Sequence, residues 1–276
     1  MDQTSESTVI RLLTSHRSIR RYSGEPISAE TLATLLRAGQ GAASSSFIQA
    51  YSVIRVTRPS ARSAISRAAG NQPWIEQAAE FLVFCADLRR VDRACRERGM
   101  GALEGWTEHS LAAVVDMALM AQTVLIAAES LGLGGVYIGG LRNDPETVVE
   151  QLQLPELVAP VFGLCLGWPA EVPEVKPRQP LDLVLHQDRY RDPEPGRMAD
   201  YGRVMADYYA ARDNNACRSD WSETTAQATQ GKKREHILGF LQQRGFFLFF
   251  SAAPVLPIPA RPASRYPASR RSPGPR

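Results

Sequence analysis

Apolar positions along the chain recur with two different periods, and the periods predict two kinds of element. A recurrence every three to four residues predicts helices over 5–15, 28–41, 59–69 and 236–245. Runs rich in β-branched and aromatic residues predict strands over 51–57, 80–87 and 161–168. The last run is almost continuously apolar, which is typical of a strand at the centre of a sheet. Strands that alternate with helices indicate a layered α+β fold.

The segment 110–131 predicts a long helix that is apolar over most of its circumference. A helix with one buried stripe needs a narrower apolar face, so this helix should be covered on more than one side. A central core helix and a helix at a subunit interface both satisfy that pattern.

The composition fits one large globular domain. The first residues, MDQTSESTV, are polar and acidic, which argues against a secretory signal. No apolar run approaches the roughly 20 residues of a membrane helix, so no membrane association is expected. Four cysteines lie far apart without metal-ligand spacing, which favours a reducing cytoplasm and predicts no metal site.

The net charge of +3 comes from the C-terminal end of the chain. Residues 246–276 hold five of the 32 basic residues and no acid, so the remaining chain has 27 basic and 29 acidic residues. That balance gives no general attraction to nucleic acid. The same stretch holds seven prolines and no sustained period, so we expect a disordered tail or an out-of-frame continuation. The folded domain is expected over 1–245.

The strongest chemical signal is HRSIRRY at residues 16–22, called the arginine motif below. Arg17 and Arg20 are three residues apart and would project to one side of a helical turn. Their guanidinium groups offer planar forks of donors that suit phosphate, with His16 and Ser18 beside them. Taken alone, the motif is explained somewhat better by a solvated basic face than by a phosphate clamp.

Five segments in a fixed order resemble the flavin-dependent nitroreductase superfamily. They are HRSIRRYSGEPIS, ASSSFIQAYSVIRVT, QAAEFLVFCAD, AAESLGLGGVYIGGLRND and FGLCLGWPAEVPEVKPR. The likeness runs to about residue 221 and is closest to group A, the oxygen-insensitive NADPH nitroreductases and NADPH-flavin oxidoreductases. It implies a mixed sheet flanked by helices, bound FMN, and a homodimer whose interface includes the helix over 110–131. Residues 187–231, here called the excursion, would wrap the partner subunit.

The resemblance also implies which residues bind FMN. They are His16, Arg17, Ser18, Arg20, Ser44, Ser45, Ser46, Gln72, Tyr137, Ile138, Gly139, Gly140, Lys176 and Arg178. Glycines around Tyr137 let the backbone approach a flat ring, although a strand between two tight turns explains them equally. Cations near the pyrimidine edge of the ring would favour the reduced anionic flavin. For Lys176 and Arg178 an exposed proline-rich loop is the alternative.

Two further groups are assigned to substrates. Phe47, after the serines, would stack on a planar acceptor, with an ordinary polar loop as the alternative. Arg212, Arg218 and Arg234 would read the 2′-phosphate of NADPH, with a solvated surface as the alternative for each. The sequence departs from the family pattern at Asn71, where a glycine is expected, and over 214–218, which is one residue longer.

The implied reaction is a ping-pong two-electron transfer. Hydride would pass from NADPH to the flavin and then to a nitroaromatic, a quinone or free flavin. No side chain is needed as a general base or nucleophile, so no catalytic residue is assigned outside the cofactor. The alternative is a flavin-binding carrier or sensor without efficient turnover, and reductive dehalogenation ranks behind both because no lid motif is recognisable.

Overall fold

A computed structural model describes residues 7–212, 219–231 and 234–248. Its helices are α1 (Thr8–Thr14), α2 (Ala29–Gln40), α3 (Pro59–Ala68), α4 (Trp74–Gln77), α5 (Arg89–Glu97), α6 (Thr107–Ser130), α7 (Pro145–Leu152), α8 (Arg197–Ala210), α9 (Trp221–Gly231) and α10 (Ile237–Gln243). Its strands are β1 (Tyr51–Arg55), β2 (Glu80–Asp87), β3 (Gly134–Ile138) and β4 (Val158–Gly167). The helices and strands predicted from periodicity are confirmed, with ends that differ by a few residues. The glycine-rich stretch around Tyr137 forms strand β3, which agrees with the interpretation of this stretch as a strand between turns.

The four strands form one sheet in the order β1-β2-β4-β3. Each neighbouring pair is antiparallel, and a register shift interrupts the β2–β4 pairing between Phe84 and Cys85. Within the described part of the chain, parallel pairing is limited to an isolated bridge between Ser18 and Gly135. The mixed character of the sheet therefore comes from the N-terminal segment rather than from a full strand.

Helices cover both faces of this sheet, as the all-buried strand β2 requires. Phe81 and Val83 pack into a cluster with residues of α3 and α7. Leu82 and Phe84 point to the other face, where α2 and α6 lie. The alternation follows the two-residue period of a strand, and it confirms the layered α+β fold.

Helix α6 runs across the second face and contacts α2, β1, β2 and β3. By length and composition it could also cross a membrane, so the expectation that no apolar segment reaches that length is wrong. A helix in the core of a globular protein meets the same criterion, and α6 has buried side chains along most of its length, the first at Ser110 and the last at Ala128. Leu111, Val115 and Leu119 instead form an exposed row on one side of the helix.

Two segments outside the sheet position the candidate site. The arginine motif runs along β3, where the Ile19 N–H donates to the Gly135 carbonyl at 3.0 Å. Within the excursion, α8 and α9 pack around a small cluster of their own, centred on Tyr201, Met205 and Tyr209. The segment that follows β4 contacts this cluster through a hydrogen bond from the Tyr201 hydroxyl to the Pro177 carbonyl.

Candidate functional site

Two carboxylates from distant parts of the chain hold the arginine motif in place. Nδ1 of His16 lies 2.5 Å from Oε1 of Glu129, near the end of α6. Oε1 of Glu171 accepts the backbone N–H groups of Arg20 at 2.8 Å and Arg21 at 3.2 Å. Because these bonds use the backbone of Arg20 and Arg21, both guanidinium groups stay available for other partners.

Arg17 carries the clearest sign that something else belongs in the motif. Its Nε is buried and has no hydrogen-bond acceptor among the described residues. A buried donor without an acceptor is costly, particularly when the group is charged. A phosphate oxygen would satisfy it, so the donor set of the motif fits the phosphate of FMN.

A chain of contacts links the arginine motif to Gln72 and the end of β3. The Arg20 guanidinium carbon lies 5.8 Å from the centre of the Trp74 ring. The Trp74 indole N–H donates to Oε1 of Gln72 at 3.1 Å. A Cβ placed on Gly140 would lie 2.4 Å from both Nε2 of Gln72 and the Ala69 carbonyl. The predicted residues Arg20, Gln72 and Gly140 therefore lie near one another. Gln72 and the backbone of Ala69 come so close to Gly140 that a side chain there would not fit.

The end of β3 presents the backbone that was expected to face a flat ring. Ile138 is fully buried, whereas Tyr137 packs edge-on against Phe162 with ring centres 5.0 Å apart. Burial raises the pKa of Tyr137, so this phenol stays neutral throughout the physiological range. A Cβ on Gly139 would meet the Arg142 guanidinium at 3.2 Å. The space beside Gly139 and Gly140 is thus set by Arg142 and Gln72.

Residues 44–50 form a separate feature, called the serine loop below. Oγ of Ser44 is buried without a hydrogen-bond partner among the described residues, and Phe47 is 79% exposed. The Ser45 N–H donates to Oδ1 of Asp116 at 2.7 Å. Ser46 and Phe47 have φ values of 48° and 56°, and residues that carry a Cβ adopt positive φ at a steric cost.

Helix α6 sets the separation between the serine loop and the arginine motif. Asp116 holds the loop and Glu129 holds His16, thirteen residues further along the same helix. At 1.5 Å per residue the two carboxylates are about 20 Å apart along the helix axis. The structure therefore does not bring the predicted serine contacts and the arginine motif together within one chain.

The remaining predicted cations lie in three different places. Nζ of Lys176 lies 5.0 Å from the Tyr209 ring centre, and the Arg212 guanidinium carbon lies 6.0 Å from it. Arg178 is exposed. Nε of Arg234 donates to Oδ1 of Asn143 at 2.9 Å, in the turn after Gly140. Arg218 lies outside the described residues.

Arg234 also acts on its neighbour in that turn. Burial and, to a smaller extent, the charge of Arg234 lower the pKa of Arg142. His236 follows in the chain, and its Nε2 lies 3.0 Å from the Arg142 carbonyl. The chain before α10 is thus attached at the glycine end of the candidate site, whereas Arg212 belongs to the α8 cluster.

Sequence reasoning missed the acids that position the site. Asp116, Glu129 and Glu171 are absent from the predicted set, although Asp116 is the sole charged residue between 110 and 128. An isolated acid in an apolar helix is a usable signal, because burying it requires partners. Glu129 and Glu171 carry no comparable pattern, and their roles appear only once the chain is folded.

Comparison with known proteins identifies the family. The model of the Nitroreductase family matches residues 13–168, and the model of its C-terminal domain matches 176–248. The chain is 43% identical over 240 residues to an oxygen-insensitive NADPH nitroreductase of Salmonella typhimurium, covering 87% of this chain and 98% of the relative. It is 44% identical over 239 residues to an NADPH-flavin oxidoreductase of Vibrio harveyi, with the same coverage.

A solved structure gives the same result. The NADPH:FMN oxidoreductase from Vibrio harveyi, complexed with NAD⁺, superposes with a TM-score of 0.80. It is 40% identical and covers 87% of this chain and 99% of its own.

Proposed function

Because the chain belongs to the Nitroreductase family, we propose that it is an NADPH-dependent oxidoreductase that binds FMN and reduces nitroaromatics, quinones and free flavin. The observation that carries this proposal is the buried, unpartnered Nε of Arg17 inside the arginine motif. Relatives named as an NADPH nitroreductase and an NADPH-flavin oxidoreductase support the same activity.

Each part of the candidate site has a task in this proposal. The arginine motif would hold the phosphate, and the close approach at Gly140 with Gln72 would face the ring. Lys176 and Arg178 would add positive charge near the cofactor. When bound, FMN supplies a two-electron carrier that NADPH reduces and an acceptor re-oxidises. The protein binds the ring, fixes its orientation and sets the electrostatic field around it.

We propose that the active form is a homodimer with composite sites. Within one chain the serine loop lies about 20 Å along α6 from the arginine motif. A second copy, related by a two-fold axis near Gln122, would bring its serine loop to this chain's arginine motif. Such an interface would cover the exposed row of Leu111, Val115 and Leu119. In a two-fold dimer the same surface of both copies meets, so this apolar row would pack against its counterpart. The excursion would wrap the same partner.

We assign the preference for NADPH over NADH as hydride donor to arginine side chains. Arg234, beside the turn after Gly140, is placed to meet the 2′-phosphate of a donor over the ring. Arg212 and Arg218 remain candidates for the same task.

We place the protein in the cytoplasm, with no nucleic-acid or membrane partner. The near-neutral balance of residues 1–245 supports this. The C-terminal family model ends at residue 248, which supports a domain over 1–245 and a tail outside it.

The test is an anaerobic titration of the purified protein. FMN-loaded protein should lose its visible absorbance stoichiometrically on addition of NADPH and regain it with a nitroaromatic. Bound flavin that neither NADPH nor NADH bleaches would favour a carrier or sensor without turnover. Protein that takes up no FMN would overturn the proposal.

A further inference from the structure

The serine loop is held in a conformation that its residues do not favour by themselves. Ser46, Phe47 and Gln49 have φ values of 48°, 56° and 55°. None of the three is glycine, so each pays a steric cost in this region of backbone space. The loop also exposes Phe47 to solvent, so burial of that ring does not offset the cost within one chain.

Asp116 supplies the attachment that fixes this loop. Asp116 is 1% exposed, and its carboxylate accepts two backbone N–H groups. Oδ1 accepts from Ser45 at 2.7 Å, and Oδ2 accepts from Ala50 at 3.4 Å. The two donors lie on either side of the positive-φ residues, so one carboxylate closes the loop at both ends.

We propose that Asp116 is a positioning residue that presents Ser44, Ser45 and Ser46 for flavin binding. The inference rests on the proposed FMN-binding function. An apolar side chain at this place in α6 would pack without the desolvation cost of a carboxylate, so core packing alone does not explain an acid here. The carboxylate of Asp116 binds backbone N–H groups of the loop, so its effect on FMN would be exerted through the loop.

The first test measures FMN affinity by quenching of flavin fluorescence on titration of apoprotein. Asp116→Asn keeps the size of the side chain but replaces one acceptor oxygen with an N–H donor, which would face an N–H of the loop. We expect FMN to bind at least about tenfold more weakly. Glu80→Gln is the matched control, because Glu80 is 3% exposed and pairs with Arg55 on β1. That control should bind FMN as the unmodified protein does.

The second test reads the loop without any flavin. Amide hydrogen exchange in the apoprotein should show protected Ser45 and Ala50 N–H groups, and Asp116→Asn should lose protection at one of them or at both, but not in β2. Replacing Gln49 by glycine in the Asp116→Asn background should recover part of the FMN affinity, because glycine adopts a positive φ freely. A loss of general stability would give no such rescue.

The outcomes separate this inference from the proposed function. If unmodified protein binds no FMN, the proposed function fails. Hydrogen exchange at Ser45 and Ala50 then still tests whether Asp116 holds the loop. If it binds FMN and Asp116→Asn binds equally tightly, Asp116 has no positioning role. If Asp116→Asn does not fold, unprotected Ser45 and Ala50 amides in the unmodified protein would overturn the inference.

Discussion

The arginine motif and the serine loop are built in opposite ways. The motif pairs with β3 and is held by two acids from separate elements. The serine loop has three non-glycine residues at positive φ, one acid to hold it, and an exposed aromatic ring. The backbone of the motif is therefore held within one chain, and the Nε of Arg17 is the group that still lacks an acceptor among the described residues. The cost of the loop conformation is not offset within one chain. In our proposal it is offset by contact with the arginine motif of a second copy.

The largest effect is expected from a charge placed where the two copies would meet. Val115→Glu puts a carboxylate into the exposed row of α6, and burying it unpaired costs about 3–5 kcal/mol. Sedimentation should then show a shift from dimer to monomer, together with loss of FMN binding. Leu238→Glu, at a similarly exposed position on α10, should leave both unchanged. A dimer that survives Val115→Glu would mean that α6 is not the interface.

The next effect concerns the motif itself. Arg17→Ala removes a charge-assisted contact to the phosphate of FMN and should weaken binding by about 1.5–3 kcal/mol. Fluorescence titration of apoprotein measures this. Arg21→Ala is the matched control, since Arg21 is exposed and belongs to no predicted contact set. Equal losses in the two variants would indicate general attraction rather than a phosphate clamp.

A smaller effect is expected on the stability of the apoprotein, from substitutions at the two glycines after β3. Gly140→Ala forces a Cβ against the Ala69 carbonyl and Gln72 at 2.4 Å, and should destabilise the apoprotein by about 1–3 kcal/mol. Gly139→Ala meets the Arg142 guanidinium at the longer distance of 3.2 Å and should lower the Tm less. Similar Tm values for the two variants would mean that the contact at Gly140 relaxes easily.

The smallest effect concerns the choice of donor. Arg234→Ala removes one partly exposed cation, worth about 1 kcal/mol, so the KM for NADPH should rise roughly fivefold while that for NADH stays the same. Steady-state kinetics with both donors decides this, and Arg212→Ala tested in parallel shows which arginine matters more. Equal changes for NADPH and NADH would mean that Arg234 does not read the 2′-phosphate.

The sequence predicted the elements well because periodicity reports which faces are buried. β2 and α6 are clear from their apolar patterns, whereas β3 is obscured by Gly134 and Gly135, which lack the side chains that mark a strand. The arginine motif was recognisable because its residues are adjacent. Asp116 and Glu171 act on backbone groups 71 and about 150 positions away, and no local pattern encodes such a distance.

The spacing between Asp116 and Glu129 also limits how this chain could change over time. Each residue of an α-helix adds 1.5 Å and a turn of about 100°. A single insertion or deletion between the two acids would therefore swing one anchored segment to a different side of α6. Substitutions at the buried positions of this stretch are tolerable where size and apolar character are both kept. Its length is fixed, because the two anchoring acids must keep their distance and their direction on one helix.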